Sequence, residues 1–81
     1  MYTITKEDIN NIIDVANHNI KKDGDKKEIE ATGKQITFCV FRQNHSAYWN
    51  ATAGNTTTKS KLLRNGINEN IIIKAFEEVE A

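Results

Sequence analysis

No proline occurs in this chain, and it has only four glycines, one cysteine and one tryptophan. The lack of proline excludes collagen-like and proline-rich linker classes. With Cys39 alone there is no internal disulfide, so the fold rests on its core, and a reducing cytoplasm is the expected compartment. Charge of one sign is also missing: 11 Lys and Arg stand against 11 Asp and Glu. A general polyanion binder needs a positive surplus, which this chain lacks. No apolar run approaches the ~20 residues of a membrane helix. The stretch Met1 to Asp8 has no apolar signal core, so neither a membrane partner nor export is expected.

What is present suits one small folded unit. With 81 residues, the expectation is a single α+β domain over 1–81. A domain of this size buries roughly 60–65% of its unfolded surface, so its stability is small. Asn, Lys and Ile are abundant, the residue usage of an AT-rich source such as a low-GC bacterium, its plasmids or its phages.

The first helix is well marked. Thr5 is a good N-cap, with Asp8 three residues on to complete a capping box. Ile4 and Ile9 have the hydrophobic-staple spacing, and Ile9, Ile12, Ile13, Ala16 and Ile20 form one apolar stripe. Lys21 and Lys22 suit a C-terminal turn and Gly24 a stop, which predicts a helix over 6–22.

Residues 28–53 read as a three-stranded antiparallel meander. An Asn44-His45 turn pairs Val40 with Trp49, Phe38 with Ala51 and Arg42 with Ala47. A Gly33-Lys34 turn with glycine first suits type II′ and pairs Ile29 with Phe38 and Ala31 with Ile36. Both turns put Ile29, Ala31, Ile36, Phe38, Val40, Ala47, Trp49 and Ala51 on one face. A slip of one residue in either register would scramble that separation. The opposite face receives Thr37, Cys39, Phe41, Tyr48, Asn50 and Thr52, with Glu28 and Glu30 as charges that protect an edge strand.

Beyond a flexible connection at 53–57, Thr58 is expected to cap a short helix through Leu62 and Leu63, stopped at Asn65-Gly66. Asn68 restarts it, with an Ile67–Ile72 staple and a stripe of Ile72, Ala75, Phe76 and Val79. The expected fold is thus a two-layer α-β-β-β-α domain. Both helices cover one face of the meander, and the last is broken near Gly66.

Chemistry-bearing patterns are sparse. There is no Cys-x-x-Cys, His-x-x-x-His or Gly-x-Ser-x-Gly motif. His18, four residues after Asp14, and His45 in a turn read as separate surface histidines. Cys39 reads as a half-buried filler. No catalytic residue, metal or cofactor is expected, and the chain is read as a non-enzyme.

Two features point to binding. Phe41 directly across from Tyr48, beside Thr37 and Asn50 on the open sheet face, has the composition of an interface centre. Arg42 lies beside it in sequence. The expected partner is another protein, with a homodimer through the same face as a variant. The proposed role is a small inhibitor or regulator carried by a phage or other mobile element. The second feature is the basic segment Lys59, Ser60, Lys61 and Arg64 at the expected helix start, a generic anion site. On that order of elements the chain resembles the double-stranded-RNA-binding domain, whose last helix begins with a basic cluster on phosphates. Lys59-Ser60-Lys61 sits at the corresponding place, and the tight Gly33-Lys34 turn departs from that family's longer loop. The resemblance implies nucleic acid as an alternative partner.

Overall fold

The computed structural model describes residues 3–80. Met1 and Tyr2, the start of the stretch read above for a signal core, lie outside them. The order is α1 (Lys6–Asn19), β1 (Lys26–Ala31), β2 (Ile36–Gln43), β3 (Ser46–Ala53), β4 (Thr56–Thr57), β5 (Lys61–Leu63) and α2 (Glu69–Glu80).

Helix α1 begins as expected. Thr5 Oγ1 accepts from the Asp8 backbone N–H at 3.0 Å, and Ile4 packs against the core that holds Ile9. The reciprocal arm of the capping box goes elsewhere: Asp8 Oδ2 accepts from the Thr32 backbone N–H at 3.1 Å. That bond ties the start of α1 to the β1–β2 turn, where Thr32 sits at a φ of 50°. Positive φ is uncommon for a β-branched residue, so the turn draws on this outside support.

The helix stops three residues earlier than the 6–22 expectation, at Asn19, and a carboxylate a few residues on takes up the backbone groups that follow. Asp25 Oδ2 accepts from the backbone N–H groups of Lys21 and Lys22 at 2.9 and 3.0 Å. These two bonds outweigh the opposing desolvation and, with the Lys22 and Arg42 charges adding to them, hold the Asp25 carboxyl below its ordinary value of 3.8. A lowered folded-state value means stabilisation present above the unfolded value and lost as pH falls through the folded one. As pH falls below the ordinary carboxyl value of 3.8, melting temperatures are therefore expected to fall less steeply for Asp25→Asn than for the parent chain. Parallel acid limbs would refute this role.

The meander forms in the expected registers. Ile29 pairs with Phe38 and Ala31 with Ile36, while Phe38 pairs with Ala51 and Val40 with Trp49. The first turn, however, is not type II′. Gly33 and Lys34 both have positive φ, 64° and 72°, which is the type I′ requirement. The glycine-first pattern occurs instead at Gly54-Asn55, where only Gly54 is positive, at 60°.

That second glycine turn corrects the reading of residues 53–64. They contain no helix. Gly54-Asn55 reverses the chain so that β4 pairs with β3, Ala53 with Thr56 and Thr52 with Thr57. Thr58 extends the ladder, its N–H donating to Ala51 O at 2.9 Å and its Oγ1 accepting from Ala51 N–H at 3.0 Å. The chain then rejoins β3 as β5, with Lys61 opposite Trp49, Leu62 opposite Tyr48 and Leu63 opposite Ala47. Lys59 and Ser60 together stand opposite the single Asn50, which is a β-bulge. The sheet thus gains an edge built from β4 and β5, and the last helix is not broken near Gly66: it starts only at Glu69. Asn68 caps it, with Oδ1 accepting from Ile71 N–H at 3.1 Å.

The layers are as expected for α+β. The sheet order is β1-β2-β3-β4, with β5 also on β3. Ile29, Ile36, Phe38, Val40, Trp49 and Ala51 are buried together with Ile9, Ile12, Ile72, Ala75 and Phe76 of the two helices, in one core. Both helices therefore lie on one face of the sheet. Phe38 and Trp49 stack there with centroids 5.4 Å apart. No helix among the described residues is long and apolar enough to cross a membrane.

Candidate interaction surface

The open sheet face is organised by the strand registers. In an antiparallel pair, directly opposed residues share a face. Lys26 pairs with Phe41, Phe41 with Tyr48, and Tyr48 with Leu62. One row therefore crosses β1, β2, β3 and β5 with two aromatic rings and a leucine side by side. Phe41 and Tyr48 stack at 5.5 Å between centroids with 20° between planes. Both are half-buried, and Leu62 is 46% exposed. The β2–β3 ribbon thus carries two stacked aromatic pairs, one sealed in the core and one open to solvent.

Beside this ridge the face is a shallow trough. Cys39 and Asn50 form its floor, with one hollow of about 360 Å³ towards Phe41 and Gln43 and another of about 330 Å³ towards Thr37 and Thr52. Asn50 Nδ2 donates to Ser60 Oγ at 3.3 Å, and the Thr52 and Thr57 hydroxyls meet at 3.0 Å. Along β1, Glu28 and Glu30 are exposed on the sheet edge, and Lys26 Nζ lies 3.5 Å from Glu28 Oε1. Desolvation pushes the Cys39 thiol up, Glu28 adds to this, and Lys26 opposes it. The thiol is accordingly a poor nucleophile. Alkylation by iodoacetamide at neutral pH is expected to be slower at Cys39 than at a free cysteine in the urea-unfolded chain; equal rates would contradict the half-buried setting.

Of the residues picked from sequence, Phe41, Tyr48, Thr37 and Asn50 come together on this face. Arg42 borders the hollow beside Phe41 and Gln43, but its partner Ala47 and its position one residue from Phe41 direct its side chain to the helix side. There its guanidinium Nε is 3.7 Å from Asp23 Oδ1, and Nη2 donates to His45 O at 3.3 Å. Leu62 is absent from the sequence-based selection because the expected short helix runs through Leu62 and Leu63. The signal for a strand was present: Gly54-Asn55 is a two-residue hairpin turn, and a run of three threonines favours strand over helix.

The basic segment does not assemble an anion site. No helix begins there, so there are no free helical N–H groups for a phosphate. Lys61 points to the helix side, where its ammonium pairs with Glu78 and lies 5.4 Å from the Trp49 ring centroid. Ser60 is bonded to Asn50, and Lys59 is exposed on the bulge. Arg64 lies beyond β5, among residues lining a different concavity. The order of elements that resembled the double-stranded-RNA-binding domain is likewise replaced at this edge by strands.

The histidines stay apart. His18 Nδ1 is 3.2 Å from Asp14 Oδ1 on α1, and the His45 backbone N–H donates to Asp23 Oδ1 at 2.9 Å. Among the described residues, no three His, Cys, Asp or Glu side chains converge to hold a metal. No family model matches the chain, and comparison with curated proteins and with solved structures found no match.

Proposed function

We propose that this chain is a small protein-binding module that acts as an inhibitor or regulator through its open sheet face. The observation that carries the reading is the continuous row Phe41–Tyr48–Leu62, uncovered by either helix. A tyrosine such as Tyr48 is a preferred interface anchor because it buries a large amphipathic ring at little conformational cost, and Phe41 extends its apolar area. A leucine nearly half exposed beside two stacked rings makes an apolar patch where scattered single residues would call for no explanation. The trough floored by Cys39 and Asn50 offers a partner side chain a place to insert. The charged β1 edge, with Lys26, Glu28 and Glu30, supplies a polar rim that discourages strand-to-strand association and leaves the face itself for contact.

A photo-crosslinking residue placed at position 62 tests this against the same residue at position 73, the other exposed large hydrophobic. The expected result is capture of one defined protein at 62 and not at 73, lost on Phe41→Ala with Tyr48→Ala. That double change removes a cross-strand pair worth ~0.2–1 kcal/mol, so the thermal unfolding curve stays cooperative. Capture by the double variant equal to that of the parent chain, or capture from 73 alone, rejects the face. Light scattering on both forms shows whether the captured partner is a second copy of this chain.

A further inference from the structure

On the opposite side of the sheet, α1 and the connection from β5 to α2 diverge and leave a groove of about 790 Å³. Ligand sites are commonly concavities of ~300–1,000 Å³ with apolar walls and a few placed polar groups. Here the walls include Ile20 from the end of α1, Ala47 from the start of β3 and Leu63 from β5. All three are half-buried, so each shows apolar surface to the groove. The mouth carries Arg42, Arg64 and His45, and among the described residues no Asp or Glu lines it. Asp23 sits at its margin, 3.7 Å from Arg42 Nε and 3.4 Å from His45 Nδ1, and offsets one of the two guanidinium charges. Arg64 is exposed and makes no ion pair among the described residues.

An apolar strip of Ile20, Ala47, Leu62 and Leu63, set in a lining whose exposed surface is otherwise mostly polar and beside a net positive mouth, is complementary to one chemical class. We propose that this groove binds a small organic acid, with its carboxylate at Arg64 and its apolar body along Ile20, Ala47 and Leu63. A guanidinium suits this role because its planar fork matches a carboxylate in two parallel hydrogen bonds. Leu62, at the end of the open row, also borders this groove, so the two sites meet there; Ile20, Ala47, Arg64 and Gly66 belong to the groove and not to the Phe41–Tyr48–Leu62 row, and they report on it independently.

Isotope-labelled protein titrated with hexanoate, hexanol and inorganic phosphate tests it by amide chemical shifts. Hexanoate is expected to give saturable shifts at Ile20, Ala47, Leu63 and Gly66. Hexanol, with the same chain and no charge, should bind about tenfold more weakly. Arg64→Gln should weaken hexanoate by about tenfold and leave hexanol and the melting temperature unchanged. No saturable shift in the groove, or equal binding of acid and alcohol, or an unaffected Arg64→Gln variant overturns the proposal. Phosphate matching hexanoate would overturn it too, because the apolar body would then contribute nothing.

Discussion

Phe38→Ala is expected to lower the unfolding free energy by about 3–5 kcal/mol, while Phe41→Ala, three residues along the same strand, lowers it by about 1 kcal/mol or less. The contrast follows from which way each ring points. Phe38 is fully buried in the middle of β2, opposite Ile29 on one side and Ala51 on the other, and stacks on Trp49. Truncation there removes the ring's transfer energy and leaves a cavity between sheet and helices that the close-packed neighbours fill only in part. Phe41 is half-exposed and loses mainly its contact with Tyr48. A domain of this length holds only about 4–12 kcal/mol in total, so Phe38→Ala should be partly unfolded at 37 °C or shifted far down the urea axis. Urea titrations of both variants, at equal slope, measure the difference. If the two costs agree within about 0.5 kcal/mol, the sheet is not sided as described and the open aromatic row loses its basis.

The same sidedness explains what could be read from the residues alone. The registers of β1, β2 and β3 are over-determined: two turns must each agree with one division of apolar from polar residues. Thr5 and Asn68 act as caps because their signals are local, a side-chain oxygen within three residues of the N–H it accepts. The edge from Thr56 to Leu63 escaped because a bulge breaks the alternation on which strand reading depends. Thr57 faces out with Thr52, and Thr58 bonds to Ala51; after the extra residue Lys61 faces in and Leu62 out. Read without the bulge, Lys59 to Arg64 has no period of two, and a capped helix fits it as well. The early end of α1 escaped although its signal is equally local: Asp25 accepts from N–H groups three and four residues back, but Lys21, Lys22 and Gly24 fit a helix end at 22 as well. For the candidate face, Phe41 and Tyr48 were legible from the hairpin register, whereas Leu62 required knowing the bulge, and Arg42 was carried along by sequence adjacency against the alternation rule.

Gly66→Ala should cost about 2–3 kcal/mol, and about 1 kcal/mol of that should be shared with Asn17. Gly66 has a φ of +80°, where an alanine is strained by about 1–2 kcal/mol. A Cβ there would also stand 2.8 Å from Asn17 Oδ1. The amide of Asn17 is what joins α1 to the entry of α2: Oδ1 accepts from the Ile67 backbone N–H at 3.1 Å, and Nδ2 donates to Ile67 O at 3.3 Å. Ile67 is buried and staples the start of α2. The Asn17 side chain can swing away from an alanine, but only by giving up that clamp, at about 1 kcal/mol net per bond. Asn17→Ala alone should therefore cost about 1–2 kcal/mol, and in its background Gly66→Ala should retain only the backbone strain. The double variant is then less destabilised than the two single losses combined by about 1 kcal/mol. Strict additivity in urea titrations would mean that the two residues act independently and that the helices are held together by apolar packing alone. Asn17 and Gly66 also line the groove beneath Arg64. The same contact that sets the separation of α1 from the α2 entry thus sets the width of that groove, so a loss of the clamp should appear as weaker hexanoate binding before it appears as global unfolding.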